Sequence, residues 1–315
     1  MSFDRLATVG PPHRIGLGLA AVGRPGYINL GRGQDLPAVR SVETLRAHSH
    51  RLLDEAYALG VRYLDVARSY GLAEDFLASW LRARPDADDV VVGSKWGYTY
   101  TAGWRVDAEV HETKDHGVAT FERQLAETTD LLGVRLDLYQ IHSVTPDSPA
   151  LTDPALHRRL ARLADRGVTV GLSVSGPRQA EAVRVALPIQ VDGRPLFRSV
   201  QATWNLLEPS AGAALAEAHA AGRAVIVKEA LANGRLAGRD PALGEAGVTD
   251  AVALAAALHQ PWVDVVLSGA ATPAQLASNV RAAAVTLDAD RLARLSALAE
   301  PPDAYWRHRA RLAWT

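Results

Sequence analysis

The sequence predicts a single (β/α)8 barrel, with a long loop after the third strand and a helical tail after Asp288. Three observations carry that reading. Eight apolar segments read as strands, and amphipathic helical segments separate most of them, the alternation expected of a parallel sheet. One unit, a helix followed by glycine and an apolar strand, recurs around Gly60, Gly133, Gly167 and Gly222; glycine ends a helix well because it adopts the left-handed conformation without penalty. Finally, 315 residues suffice for one such barrel with insertions, and no low-complexity linker marks a second domain, so residues 1–315 are assigned to one domain.

The first strand candidate is RIGLGLA, from Arg14. Within it Gly16 to Ala21 matches the loose form of a dinucleotide fingerprint, but a fingerprint must open a helix at its glycines. Here Gly23, Pro25 and Gly26 follow at once and no helical period begins before Ser41, so the segment reads as a strand and an irregular loop. Ser41 caps the first helix, in which Leu45, Leu52, Leu53, Ala56 and Leu59 recur at helical spacing up to Gly60. The second strand, VRYLDV from Val61, ends on Asp65, and Tyr70 comes in the exit turn. The third, DVVVGSK, ends on Lys95; residues 96–117 are then aromatic and polar without a period, a long loop on the active face. The remaining strands are LDLYQIH, VTVGLSV, RSVQATW, AVIVKEA and DVVLSGA.

In such barrels the chemistry sits at the C-terminal strand ends, which here are Asp65, Lys95, His142, Ser173, Gln201, Lys228 and Gly269. Taken singly, Lys95 reads as a snorkelling lysine and His142 as a satisfied core histidine. Together with Asp65 and Tyr70 they read as chemistry. A carboxylate can hold a lysine, the lysine can make a phenol more acidic, and the phenol can hand a proton to a substrate oxygen.

Composition excludes several classes. The formal net charge of −1 gives no electrostatic footprint for nucleic acid or an anionic membrane surface. The absence of cysteine removes disulfides, thiolate zinc sites and cysteine nucleophiles. The N-terminal MSFDRLATVGPP lacks the regions of a secretory signal, and no apolar run approaches membrane-spanning length, so a cytoplasmic protein is expected. Its expected partners are small molecules; the oligomeric state is left open. His48 and His50 lie two apart on a helix and face different directions, and His111 and His116 have no third ligand, so no metal site is expected. Ser69 and Ser143 lack a nucleophile elbow. Trp96, Tyr98, Tyr100 and Trp104 either wall a substrate pocket or pack the loop.

The segments LDVARSYG, VVVGSKWG and DLYQIHS, in that order and spacing, resemble the Asp/Tyr, lysine and histidine strands of the aldo-keto reductase family, and the resemblance covers nearly the whole chain. It implies a nicotinamide-dependent oxidoreductase that reduces an aldehyde, ketone or sugar carbonyl, or oxidises the alcohol in reverse. Tyr70 is then the general acid, Lys95 and Asp65 the pair that lowers its pKa from a free value near 10, and His142 the group that orients the carbonyl. For the cofactor, the resemblance implies Ser173 and Gln201 at the carboxamide, with Val174 where the family has Asn and Ser175 as a substitute. Lys228 stands where many members carry a stacking Tyr, and is expected to reach over the cofactor, pairing with its pyrophosphate, with a substrate anion or with Glu229. SGAATPAQLASN resembles the adenosine-phosphate loop through Gly269, Gln275 and Asn279, at a helix N-terminus able to receive a phosphate. The family implies NADP(H), yet this loop offers no cation before Arg281, with Arg235 the other candidate, so use of NAD(H) is expected too. The alternative is a non-catalytic nicotinamide-binding barrel subunit that senses redox state for a partner protein. The intact set Asp65, Tyr70, Lys95 and His142 favours the enzyme.

Overall fold

The computed structural model describes residues 14–239, 243 and 248–315, so the N-terminal MSFDRLATVGPP lies outside the described residues. Eight parallel strands close into a barrel: β1 (Ile15–Gly18), β2 (Tyr63–Asp65), β3 (Val91–Trp96), β4 (Leu138–Val144), β5 (Thr169–Val174), β6 (Ser199–Thr203), β7 (Ala224–Lys228) and β8 (Val265–Ser268). Each strand pairs with its neighbours in sequence, and β1 closes the ring by pairing with β8. Around it run α1 (Val42–Ala58), α2 (Ala73–Ala83), α3 (Val118–Leu132), α4 (Pro154–Asp165), α5 (Gln179–Ala186), α6 (Gly212–Ala220), α7 (Asp250–Leu258) and α8 (Pro273–Arg281). The tail forms α9 (Ala289–Ser296) and α10 (Pro302–Ala310).

Local chemistry sets these elements. Ser41 caps α1, its hydroxyl accepting from the Thr44 N–H at 3.2 Å, and the face carrying Leu45, Leu52, Leu53 and Ala56 is buried. Gly60 takes φ +87° after the helix, as its position requires. Inside the barrel, Tyr63 packs with Val91, Leu138, Ile226, Val265 and Leu267. Its ring occupies the space that side chains on the adjacent strands would need. A Cβ on Gly16 would come 2.8 Å from Tyr63 Cδ1, and one on Gly93 2.3 Å from the Tyr63 hydroxyl. The glycine pattern of the first strand therefore makes room for a tyrosine. Beyond β1 the chain enters a short 3-10 turn at Leu19–Ala21, with no helix opening on those glycines.

Residues 96–117 are more ordered than a structureless loop. Tyr98–Tyr100 pairs antiparallel with Glu112–Lys114, forming a hairpin beside the mouth. Period-2 runs this short do not stand out from polar loop sequence. Its aromatic residues divide: Trp96 is fully buried against Phe121, Trp104 packs on Phe76, and Tyr98 faces His142. Among the described residues no helix is long and apolar enough to cross a membrane.

Gly93→Ala should overpack the barrel and destabilise it by about 1–3 kcal/mol, read as a lower urea midpoint. Since the nearest atom is the Tyr63 hydroxyl, adding Tyr63→Phe should recover part of the loss. An unchanged midpoint in Gly93→Ala would show slack where the packing has none.

Candidate active site

Parallel pairing of β2 with β3 sets Asp65 level with Gly93, so Lys95, two residues further along β3, projects on the same face beyond it. Its ammonium, fully buried, donates to the Asp65 carboxylate, to Val66 O at 3.0 Å and to the Tyr70 hydroxyl at 3.5 Å. The second Asp65 oxygen accepts from Gln201 Nε2 at 2.9 Å and from the Tyr63 hydroxyl at 3.3 Å. A buried ion pair is tolerable only when its remaining lone pairs and protons are matched in this way.

His142 arrives from the next strand. The β4–β5 pairing shifts register between Ile141 and Val144, and Ser143 sits at φ +55°; such irregularities re-aim side chains at barrel rims. The imidazole meets Tyr70 edge-on with ring centroids 5.5 Å apart and Tyr98 at 5.1 Å, and its Nδ1 lies 3.4 Å from Ser69 Oγ. Burial, and then Lys95, Lys228 and Arg24, hold His142 well below the usual histidine range, so it is a neutral ring. The structure thus brings Asp65, Tyr70, Lys95 and His142 together.

The phenol behaves differently from the expectation. Burial, and after it the Asp65 carboxylate, push Tyr70 well above its ordinary value; the cation that pulls it down is Arg24. The expected lowering by the Lys95–Asp65 pair is corrected for a simple reason. Loss of solvation, and after it the Asp65 carboxylate, disfavour a phenolate at this depth.

A cavity of about 490 Å³ opens at this mouth, lined by Asp65, Tyr70, His142, Gln201, Lys228, Gly269, Gln275 and Asn279, with Lys95 buried behind them. Ser173 stands apart: it is fully buried and outside the cavity lining, and its hydroxyl accepts from the Ser143 N–H at 2.8 Å. Lys228 lines the cavity but donates to Thr203 Oγ1 at 2.8 Å, with Glu229 Oε1 at 3.7 Å. Burial pushes its pKa down to about 8, against the pull of Glu229. The start of α8 is partly capped from within: the Gln275 N–H is taken by Thr272 Oγ1 at 3.2 Å and the Ala271 N–H by Gln275 Oε1 at 2.9 Å.

Sequence reasoning named Glu229 only as a possible partner of Lys228 and missed other lining residues. Glu229, at φ +56°, is clamped by two donors from Arg309 of α10. Burial pushes Glu229 up, but Arg309 and then Lys228 outweigh it and hold the carboxyl at about 2. Arg24, Tyr27 and Trp314 wall the cavity near Tyr70. The loops after β1 and β7 meet through Leu30 N–H to Asn233 O at 2.9 Å and Asn233 Nδ2 to Asn29 Oδ1 at 3.2 Å. Of the aromatic hairpin, Glu112 lines the cavity, while Tyr98, named in the sequence, packs beside His142 outside that lining. Among the described residues no group of three or more His, Cys, Asp or Glu could hold a metal ion. His48 bonds Ala271 O at 2.5 Å, and His116 bonds Ser148 Oγ at 2.7 Å and His142 O at 2.8 Å.

A closed parallel barrel with a buried carboxylate, lysine, tyrosine and histidine at its C-terminal mouth defines the class to which comparison assigns the chain. The model of the aldo/keto reductase family matches residues 14–251, and the chain belongs to that family. It is similar to the aldo-keto reductase str7 of Strobilurus tenacellus, 25% identical over 192 residues that make up 59% of this chain and 49% of that protein. The chain thus spans about half the length of the curated relative it matches. The fold is also that of a Bacillus halodurans aldo-keto reductase solved in its holo form, with TM-score 0.69 and 21% identity over 91% of this chain and 92% of that one.

Asp65→Asn should cost about 3–5 kcal/mol of stability, because it leaves the Lys95 ammonium buried without its counter-charge. Denaturant unfolding checks this. A loss below about 1 kcal/mol, the range of exposed pairs, would mean that Lys95 finds another partner.

Proposed function

We propose that this chain is a single-domain NAD(P)(H)-dependent oxidoreductase that reduces the carbonyl of an aldehyde, ketone or sugar, or oxidises the corresponding alcohol, with Tyr70 as general acid. The observation that carries the reading is the convergence of the Tyr70 hydroxyl, Lys95 and His142 at one cavity, with Asp65 against Lys95. Tyr70 holds its proton and can deliver it to a carbonyl oxygen. Neutral His142 can hydrogen-bond that oxygen and fix its direction without competing for the proton. Lys95 and Asp65 keep the phenol in place, and the surrounding rings exclude water.

The residues present fit a dinucleotide. A Cβ at Gly269 would meet nothing closer than Asn29 Nδ2 at 3.9 Å, so packing within the protein does not demand glycine there; its bare backbone faces the cavity and leaves room for a ligand to approach the chain. Gln201 gives its amide nitrogen to Asp65, which leaves its carbonyl oxygen to accept from a carboxamide. Gln201, Gly269, Gln275 and Asn279 would hold the cofactor, with Lys228 at its edge. When bound, a nicotinamide supplies the hydride that no side chain can.

The rival reading, a non-catalytic redox-sensing subunit, would give a proton donor held this closely no task. Tyr70→Phe removes the donor and leaves the cavity intact, so turnover should fall by about two or more orders of magnitude while cofactor affinity, measured by fluorescence titration, changes little. Near-wild-type turnover would remove Tyr70 from the role, and no turnover in the unaltered protein with a panel of aldehydes would favour the sensor.

Selectivity between the two nicotinamides should be weak. Arg235 is paired with Glu300 at 2.6 Å and Arg281 is exposed at the far end of α8, while the loop itself offers Ala270, Ala271 and Thr272. Asp250, a carboxylate, lines the same cavity. A 2'-phosphate loses hydration on docking, and charge-assisted bonds of about 1.5–3 kcal/mol each normally compensate. Dissociation constants and catalytic efficiencies for NAD(H) and NADP(H) at low salt should therefore lie close together, with NADP(H) only modestly favoured at most. A preference for NADPH of about a thousandfold, near 4 kcal/mol, would reveal a phosphate clamp elsewhere.

A further inference from the structure

Another cavity, also of about 490 Å³, opens at the end of the barrel opposite the mouth, where β5, β6 and β7 begin. Its walls are apolar, with Ala161 from α4, Val170 from β5, Val191 from the hairpin that pairs Gln190–Val191 with Arg194–Pro195, and Leu196 beyond it, while its polar groups are chiefly basic. The β6–β7 pairing sets Ser199 level with Ala224, so the residues just before them, Arg198 and Arg223, stand side by side, and the Ala224 N–H donates to Arg198 O at 2.9 Å. Adjoining strands lie roughly 5 Å apart, and like charges set directly opposite each other on one face destabilise a sheet. Neither arginine has an acidic partner among the described residues. Arg223 Nη1 donates to Ala221 O at 2.6 Å, Nη2 reaches Leu187 O at 3.5 Å, and Nε is buried with no partner in the protein. A buried donor costs free energy unless something accepts from it. Arg198, exposed at the rim, bonds through its backbone alone. The other charges at this end are engaged: Arg194 with Asp165 at 2.9 Å, and Asp264 with the Val225 N–H at 2.7 Å and beside His219 Nδ1 at 3.7 Å. Burial, and after it Arg198, hold Arg223 below its ordinary value.

We propose that this cavity is a binding site for a small amphiphilic anion, its carboxylate or phosphate head held between Arg198 and Arg223 and its apolar body laid against Ala161, Val170 and Leu196. Guanidinium groups suit such a head because each offers a pair of parallel N–H donors to it. An anion between the two arginines also removes their mutual repulsion. The volume, the apolar walls and the few convergent polar groups are those of a small-molecule site. The site is separate from the mouth and does not depend on the chemistry assigned to Tyr70.

The probes are hexanoate and hexyl phosphate, with hexanol as the uncharged control, each titrated calorimetrically into the whole protein at low salt. At least one of the two anions should bind, the tighter of them naming the head group, and hexanol should bind far more weakly. Loss of one charged partner should weaken that anion by about tenfold or more in Arg198→Gln and again in Arg223→Gln. Lys228→Met, at the mouth, should bind it as the unaltered protein does. The same anion should raise the thermal midpoint of the unaltered protein and leave that of the double arginine variant unmoved. Without ligand, Arg198→Gln should keep or raise the midpoint, since it relieves a repulsion and removes no side-chain bond. Failure of both anions to bind, hexanol binding as tightly as either, affinity unchanged in the arginine variants, or affinity lost in Lys228→Met would each overturn the proposal. Should Arg223→Gln not fold, Arg198→Gln decides: weakened binding supports the site and unchanged binding overturns it.

Discussion

The buried ion pair of Lys95 and Asp65 is the constraint to which the rest of the barrel mouth answers. Taking an ammonium and a carboxylate out of water costs several kcal/mol for each ion after relaxation, and the pair survives because every remaining site is matched. Val66 O takes another ammonium proton, and Gln201 and Tyr63 serve the second carboxylate oxygen. Tyr63 can do so only by standing inside the barrel, and its ring fits only because β1 and β3 carry Gly16 and Gly93. Two glycines with no side chain to contribute are thereby tied to the charge balance of the site. The interior is a packed core whose upper layer is polar and whose lower layers are apolar.

This dependence explains what the sequence discloses and what it withholds. The eight strands and the helix after Ser41 are legible because apolar period and glycine punctuation are local signals. Asp65, Lys95 and His142 are legible because a charge at the end of an apolar strand is conspicuous and a barrel delivers all such ends to one face. The rest depends on contacts between distant segments. Nothing near Glu229 announces Arg309, eighty residues away, as its partner. Arg24 sits in a glycine- and proline-rich loop with no period to interpret. Ser173 has the right residue type at a strand end, yet its hydroxyl serves the Ser143 backbone. The direction of the Tyr70 shift escapes the sequence for the same reason: residue types reveal that a lysine and a carboxylate are near, but not how deeply the fold buries the phenol.

Among the described residues, charges at the mouth form ion pairs, Lys95 with Asp65, Arg24 with Glu112 and Arg309 with Glu229. Burial pushes Lys228 down to about 8, and its ammonium lies 3.7 Å from the Glu229 carboxylate that Arg309 also holds. Burial keeps His142 uncharged, and the neighbouring cations Lys95, Lys228 and Arg24 disfavour its protonation further. A neutral imidazole and a protonated phenol side by side can both donate to one oxygen. A protonated imidazole would instead compete as the acid.

The segment after β7 shows where the fold stores the cost of this arrangement. Glu229, Ala232 and Asn233 all have positive φ, a conformation that non-glycine residues adopt at a cost of order 1–3 kcal/mol each when it is sparsely populated. Asparagine tolerates it best; glutamate and alanine have less reason to be there. Such residues persist only where their surroundings over-determine them, and the restraints are present: Arg309 clamps the Glu229 carboxylate from α10, Asn205 donates to the Glu229 carbonyl at 2.9 Å, and Leu30 donates to Asn233 O across the cavity. The strained turn aims the Glu229 side chain back toward Lys228 and Thr203 and lets the β7 loop meet the β1 loop over the mouth. The tail helix is therefore part of the site's architecture. Without Arg309 the Glu229 carboxylate would keep only Lys228 and Thr203 beside it, and the turn that joins the two loops would lose one of the contacts that hold it.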